Sequence, residues 1–193
     1  MNYLEIIGTT VGLAYLWLEY KASIYLWVAG LIMPAIYIVV YYEAGLYADA
    51  GINVYYLLAG IYGIYYWIKQ KNSGSSQVDT TELPITYTPR HTWPRLVLTF
   101  VLAFVALSII LMRFTDSDVP VWDAFTTALS IVGMWMLARK HIEQWWIWIV
   151  VDVVCVGLYL YKELYFTAGL YALYSVIAFL GYKKWKELMK QQA

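Results

Sequence analysis

The run Trp145-Trp146-Ile147-Trp148-Ile149-Val150-Val151-Asp152-Val153-Val154-Cys155-Val156-Gly157-Leu158-Tyr159-Leu160-Tyr161 holds a single charged side chain, Asp152, in an otherwise apolar or aromatic stretch. A bilayer's hydrocarbon core takes about 20 predominantly apolar residues in helical form, at about 1.5 Å of rise each. The run therefore reads as a membrane-spanning helix. Six others surround it, over 6–18, 24–42, 51–68, 96–112, 124–138 and 168–182, the first and fifth being short. Composition agrees: 62% of the 193 residues are apolar or aromatic, with 10 Trp and 20 Tyr, and 13% are charged. A soluble domain carries roughly 25% charged residues, so a water-soluble fold is disfavoured. The first stretch lacks a basic n-region and holds Glu5, which argues for a retained helix rather than a cleaved signal.

Sliding the chain along itself by 118 positions, without a gap, returns the same pattern. Thr9 meets Thr127, Trp17 meets Trp135, Trp27 meets Trp145, Tyr41 meets Tyr159, Tyr56 meets Tyr174, Gly63 meets Gly181 and Trp67 meets Trp185, while Glu5 falls opposite Asp123. An ungapped register of this length is the mark of a duplication. The expected layout is one membrane domain over 1–193. Its parts are a three-helix repeat (5–67), a cytoplasmic linker (68–95), a connecting span (96–112) and a second three-helix repeat (123–185). Because an even number of helices separates equivalent positions, this all-α, 3+1+3 arrangement makes the repeats parallel. Eleven Lys and Arg fall on one side of such a layout and two, Arg113 and Lys162, on the other. The positive-inside rule then puts the N-terminus out and the C-terminus in.

Several function classes lose support at this stage. Net charge is zero, which gives no electrostatic case for nucleic acid. No phosphate loop, metal-ligand cluster or nucleophile–base set occurs in the spans, so neither a catalytic residue nor a cofactor is expected. His91 and His141 fall in the connections. Cys155, the single cysteine, reads as a small packing residue. The polar segment 72–94, with Asn-Ser-Gly-Ser-Ser and several prolines, is expected to be a flexible loop.

Chemistry concentrates on the sixth span. Trp145, Trp148, Asp152 and Tyr159 are spaced by three, four and seven, which aligns them along one helix face. Asp152 lies near mid-membrane, about 13 Å from either end at helical rise. An ionised carboxylate there costs several kcal/mol unless it meets water, a partner or a ligand. Indole faces attract a cation by roughly 2 kcal/mol when water is excluded, so the stripe suits a flat, positively charged ring. Trp146 points elsewhere. On the third span Asn53 and Tyr56 are further site candidates, while Gly60, Gly63, Ala178 and Gly181 read as packing residues and Trp67 and Trp185 as interface anchors. Thr9 and Ser130 could bond their own helix or a ligand.

The sequence Glu143-Gln144-Trp145-Trp146-Ile147-Trp148 with Asp152, Tyr159, Leu164-Tyr165 and Gly181-x-x-x-Trp185 resembles the PnuC family of bacterial vitamin transporters. Gly45-Leu46-Tyr47-Ala48-Asp49, Tyr62-Gly63 and Trp67 are similar to its first repeat. The resemblance implies an inner-membrane carrier, not an enzyme. It would move nicotinamide riboside by facilitated diffusion, hold the substrate between the two bundles and rely on a cytoplasmic kinase for trapping. It also implies a homo-oligomer, in particular a trimer. Thiamine, carried by relatives, is the alternative ligand, and both are cationic aromatic rings with a polar arm. Gln144 stands where the family often has Asn. Carried onto this chain, the substrate-binding set is Trp145, Trp148, Asp152, Asn53, Tyr56 and Tyr159. A seven-helix ligand sensor is the competing class.

Overall fold

The computed structural model describes residues 3–43, 47–73 and 83–192. Gly45 and Leu46 of the quoted motif, residues 74–82 of the linker and the side chains of Glu5 and Thr9 lie outside the described part. Among the described residues seven α-helices follow one another: α1 (Tyr3–Tyr20), α2 (Tyr25–Glu43), α3 (Tyr47–Ser73), α4 (Trp93–Phe114), α5 (Pro120–Ala138), α6 (Gln144–Tyr161) and α7 (Tyr165–Gln191). No strand forms among the described residues. One isolated parallel bridge joins Thr86 to His141. Each helix covers one of the seven expected runs, and α3 and α7 continue well past the apolar part. By length and composition α4, α5, α6 and α7 can each cross a membrane. On α4 the exposed side chains Val97, Leu98, Val101, Leu102 and Val105 form the kind of surface that hydrocarbon wets.

The chain divides into two compact units, Met1–Pro84 and Ile85–Ala193. In the first, α2 packs on both α1 and α3; in the second, α6 packs on both α5 and α7, with α4 laid on α5. The α4–α5 seam is built from Leu96, Val132 and Met136, flanked by Phe100, Trp135 and Ile147. Phe125 meets Phe100 edge-on at 5.7 Å.

The two units share a backbone detail. Helix α1 ends with Ala22 at φ 53° and α5 with Lys140 at φ 51°, positions related by the same sequence shift. Both close a left-handed helix cap in which the amide two residues past the cap reaches back five residues. Ser23 N–H donates to Leu18 O at 3.0 Å, and His141 N–H donates to Met136 O at 3.0 Å. The next helix packs in the same way too. Gly63 on α3 lies under the Trp27 ring, which meets Trp67 edge-on at 5.8 Å and 89°. Gly181 on α7 lies under the Trp145 ring, which meets Trp185 edge-on at 5.5 Å and 89°. Both glycines are therefore the packing residues their spacing suggested, because a side chain there would enter an indole.

The linker departs from expectation. Its described end is held to the α5–α6 connection rather than loose. Thr86 N–H donates to Lys140 O at 3.1 Å and Ile142 N–H donates to Thr86 O at 3.0 Å. Thr88 donates its N–H and its hydroxyl to the Glu143 carboxylate, at 3.0 and 2.8 Å. Ile85 N–H donates to Gln192 Oε1 at 3.0 Å. The prolines read as loop punctuation, Pro84 and Pro89, restrict φ on either side of this strap and lower the entropy lost on docking it.

Candidate functional site

Helix α6 presents Gln144, Trp148, Asp152, Cys155 and Tyr159 at intervals of three and four, so these side chains run along one stripe. Nothing on the helix can neutralise Asp152, since the span from Gln144 to Tyr161 holds no Lys, Arg or His. The carboxylate is 7% exposed. Burying it costs several kcal/mol unless a cation or hydrogen-bond donors meet it. Towards the α6 C-terminus Tyr159 packs on Tyr171 at 5.0 Å, and Tyr171 packs on Tyr174 at 5.5 Å. Cys155 is a free thiol in the core, the packing role expected of it.

The two tryptophans expected to act together face different neighbours. Trp145 is wholly buried, with Gly181 beneath the ring and Trp185 at its edge, so it fastens α6 to α7. Trp148 turns towards α5, where Gly133 leaves room for its indole at 3.4 Å, and it stays half-buried. Trp146 is exposed and packs on Tyr182 at 5.1 Å, away from the stripe as expected. The structure thus groups Trp148, Asp152 and Tyr159, and gives Trp145 the role that Trp27 has in the first unit.

Comparing the copies shows what is special about Trp148. In the first unit the ring comes from α1, where Tyr15 fills the space over Gly30 of α2, 3.0 Å from where a Cβ would sit. In the second unit the same two positions are exchanged, Gly133 on α5 and Trp148 on α6. The larger ring is therefore mounted on the helix that carries the acid.

In the first unit Asn53 is half-buried on α3, and Tyr56, also half-buried, packs on Tyr55 at 5.6 Å. Sequence reasoning passed over Glu19, which is 1% exposed in the last turn of α1 and close enough to Tyr15 to interact electrostatically, as Tyr56 is. A lone acid closing an apolar run was the signal available. Ser130 and Thr126 bond their own helix, with Ser130 donating to Thr126 O at 2.9 Å and Thr126 donating to Trp122 O at 3.1 Å. His91 is exposed on a short 3-10 turn, and His141 Nδ1 pairs with the Thr86 hydroxyl at 3.2 Å.

Seven helices among the described residues, four of them long and apolar enough to cross a membrane, with an acid buried within one of them, are the architecture of a multi-pass membrane protein. The chain belongs to the nicotinamide mononucleotide transporter family, whose model matches residues 2–187, and it resides in the bacterial inner membrane. It is similar to the nicotinamide riboside transporter PnuC of Escherichia coli (strain K12), 23% identical, covering 96% of this chain and 85% of that one. It is likewise similar to PnuC of Neisseria mucosa, 24% identical over 100% of this chain and 75% of the relative. The riboflavin/roseoflavin transporter RibM of Streptomyces davaonensis is 23% identical over 94% and 83% of the two chains. The fold matches a crystal structure of the vitamin B3 transporter PnuC with a TM-score of 0.70 and 23% identity, covering 96% of this chain and 81% of that one. The sequence-based placement in the PnuC family thus holds, and the function common to these relatives is membrane vitamin transport.

Proposed function

We propose that this protein carries a vitamin with a cationic aromatic ring, nicotinamide riboside before thiamine, by facilitated diffusion. The observation that carries this reading is the buried Asp152 one helical turn from the half-buried Trp148. A cationic ring stacked on the indole gains about 2 kcal/mol in a water-poor site, and its charge offsets the cost of the buried carboxylate. The neutral flavin carried by RibM would leave that carboxylate uncompensated, which favours the ligand named for the PnuC relatives. Thiamine remains the second ligand, because its thiazolium ring offers the same charge and flatness.

In this reading Trp148 stacks, Asp152 balances charge and Tyr159 adds a wall and a hydroxyl. Asn53 and Tyr56 bond the polar arm, and Trp145 supports α6 from behind. The 3+1+3 layout with parallel repeats, the N-out and C-in orientation, trapping by a cytoplasmic kinase and a homotrimer complete the proposal.

Protein in vesicles should equilibrate labelled nicotinamide riboside without an ion gradient, and uptake that requires a proton or sodium gradient refutes the uncoupled mechanism. Titration of tryptophan fluorescence with nicotinamide riboside and thiamine ranks the two ligands. Trp148→Ala and Asp152→Ala should each weaken binding at least tenfold, about 1.4 kcal/mol. Unchanged affinity in both folded variants moves the site elsewhere. A ligand that binds but never crosses makes the protein a sensor.

A further inference from the structure

Helix α7 is 27 residues long, about 40 Å at helical rise, against about 30 Å of bilayer hydrocarbon. Its last turns therefore leave the apolar layer and pass through the level of the headgroups. One outward face changes character there. Val176, Phe179 and Leu180 are exposed and apolar, and Lys183, Lys186 and Lys190, all exposed, continue the same face at intervals of three and four. Two of the ammonium groups are held over rings one turn earlier on the helix. Lys183 Nζ lies 4.5 Å from the centre of the Phe179 ring and Lys186 Nζ 5.9 Å from that of Tyr182. The rings keep these charges at the edge of the apolar layer instead of letting them extend into water. Tyr182 packs in turn on Trp146 of α6 at 5.1 Å, an exposed indole that widens the apolar floor.

The charge is not needed for packing. In the register shared by the two units, Tyr65, Ile68 and Asn72 of α3 stand opposite the three lysines, so the first unit builds the same helix without them. The other end of α7, Tyr165-Phe166-Thr167-Ala168, holds no cation. The acid in the last turns of α7, Glu187, meets Lys184 at 3.9 Å, and with four lysines against one glutamate the stretch stays cationic. We propose that this face of α7 binds an anionic phospholipid, with acyl chains along Val176, Phe179 and Leu180 and the phosphodiester among Lys183, Lys186 and Lys190. An ammonium seated over a ring has N–H donors left to turn outward, where phosphate oxygens accept them. Each lysine near an acidic leaflet strengthens the attraction about fivefold. A soluble phosphate compound would use the lysines alone, whereas the exposed apolar half of the face fits chains, and that selects a lipid. Such a lipid fastens α7, and through it α6, to one leaflet.

The test titrates the full-length protein in neutral detergent with dioleoylphosphatidylglycerol and with dioleoylphosphatidylcholine, which has the same chains and no net charge, and counts bound lipid by native mass spectrometry. Wild type should bind the anionic lipid at least tenfold tighter than the zwitterionic one. A variant with Lys183→Gln, Lys186→Gln and Lys190→Gln together should bind the two within twofold of each other. Replacing the same three lysines by Arg should keep the preference, and so should Lys162→Gln at the C-cap of α6. Should the triple Gln variant not fold, Lys183→Gln and Lys186→Gln singly should each weaken binding of the anionic lipid about three- to fivefold. A preference that survives in the folded Gln variants overturns the proposal, as does a wild type that does not distinguish the two lipids. Displacement of the anionic lipid by an equal concentration of inorganic phosphate makes the site one for soluble phosphate and overturns it as well.

Discussion

Replacing Gly181 by Ala tests the packing that holds α6, and with it Trp148 and Asp152, against α7. A Cβ at Gly181 would stand 2.5 Å from Trp145 Cη2 and 2.7 Å from Cζ2 and Cζ3. Ordinary contact begins near 3.4 Å, so the indole has to retreat by roughly 1 Å. It has nowhere to go, because the ring is fully buried and Trp185 stands edge-on at 5.5 Å. Overpacking of this kind costs about 1–3 kcal/mol. Removing a glycine from a helix interior returns about 1 kcal/mol, so a net loss of up to about 2 kcal/mol is expected. For a chain of this length that corresponds to a fall of about 2–4 °C in Tm per kcal/mol. Thermal unfolding of detergent-solubilised protein, followed by fluorescence-detected size exclusion, measures it. Gly157→Ala and Gly169→Ala are the controls, since nothing lies within 4 Å of a Cβ at either position and both should leave Tm unchanged or raised. Gly63→Ala should repeat the loss through Trp27, again at 2.5 Å, and Trp145→Phe should partly rescue Gly181→Ala. The reasoning fails if Gly181→Ala is as stable as Gly157→Ala.

Two further predictions concern the strap and the α5–α6 connection. Glu143→Ala removes the acceptor of both Thr88 donors, so amide exchange at Thr86, Thr88 and Ile142 should accelerate while exchange within α5 to α7 stays slow; equal exchange with and without Glu143 refutes the docking. Burial holds the His141 imidazole below its ordinary 6.5, with Glu143 opposing the shift and Arg139 adding to it. The unfolded chain therefore binds the proton first as pH falls. The stability contributed by neutral His141 is present above about 6.5 and is lost as pH drops towards the lower folded value. Tm measured from pH 8 to pH 5 should decline in wild type and decline less in His141→Gln, and parallel profiles refute the assignment.

The positions of the seven helices were legible in the sequence, as was the register that its two halves share. Each depends on a property that is local along the chain. A span is a run of residues that hydrocarbon accepts, and a repeat is a register that persists, as Trp27, Gly63 and Trp67 do in Trp145, Gly181 and Trp185. What each ring faces is not local. Trp145 and Trp148 share one helical face by spacing, yet Gly181 on α7 draws in the first and Gly133 on α5 admits the second. Only the packed neighbours separate a fastening from a candidate binding wall. Gln144 looked like a variation on a family motif until burial set its amide where the other unit keeps Leu26. The strap looked like free linker because its anchors, Lys140, Ile142, Glu143 and Gln192, lie more than fifty residues away in sequence. Hydrophobicity along a line decides what enters the membrane, but which polar groups lose their water is decided only when helices distant in sequence close around them.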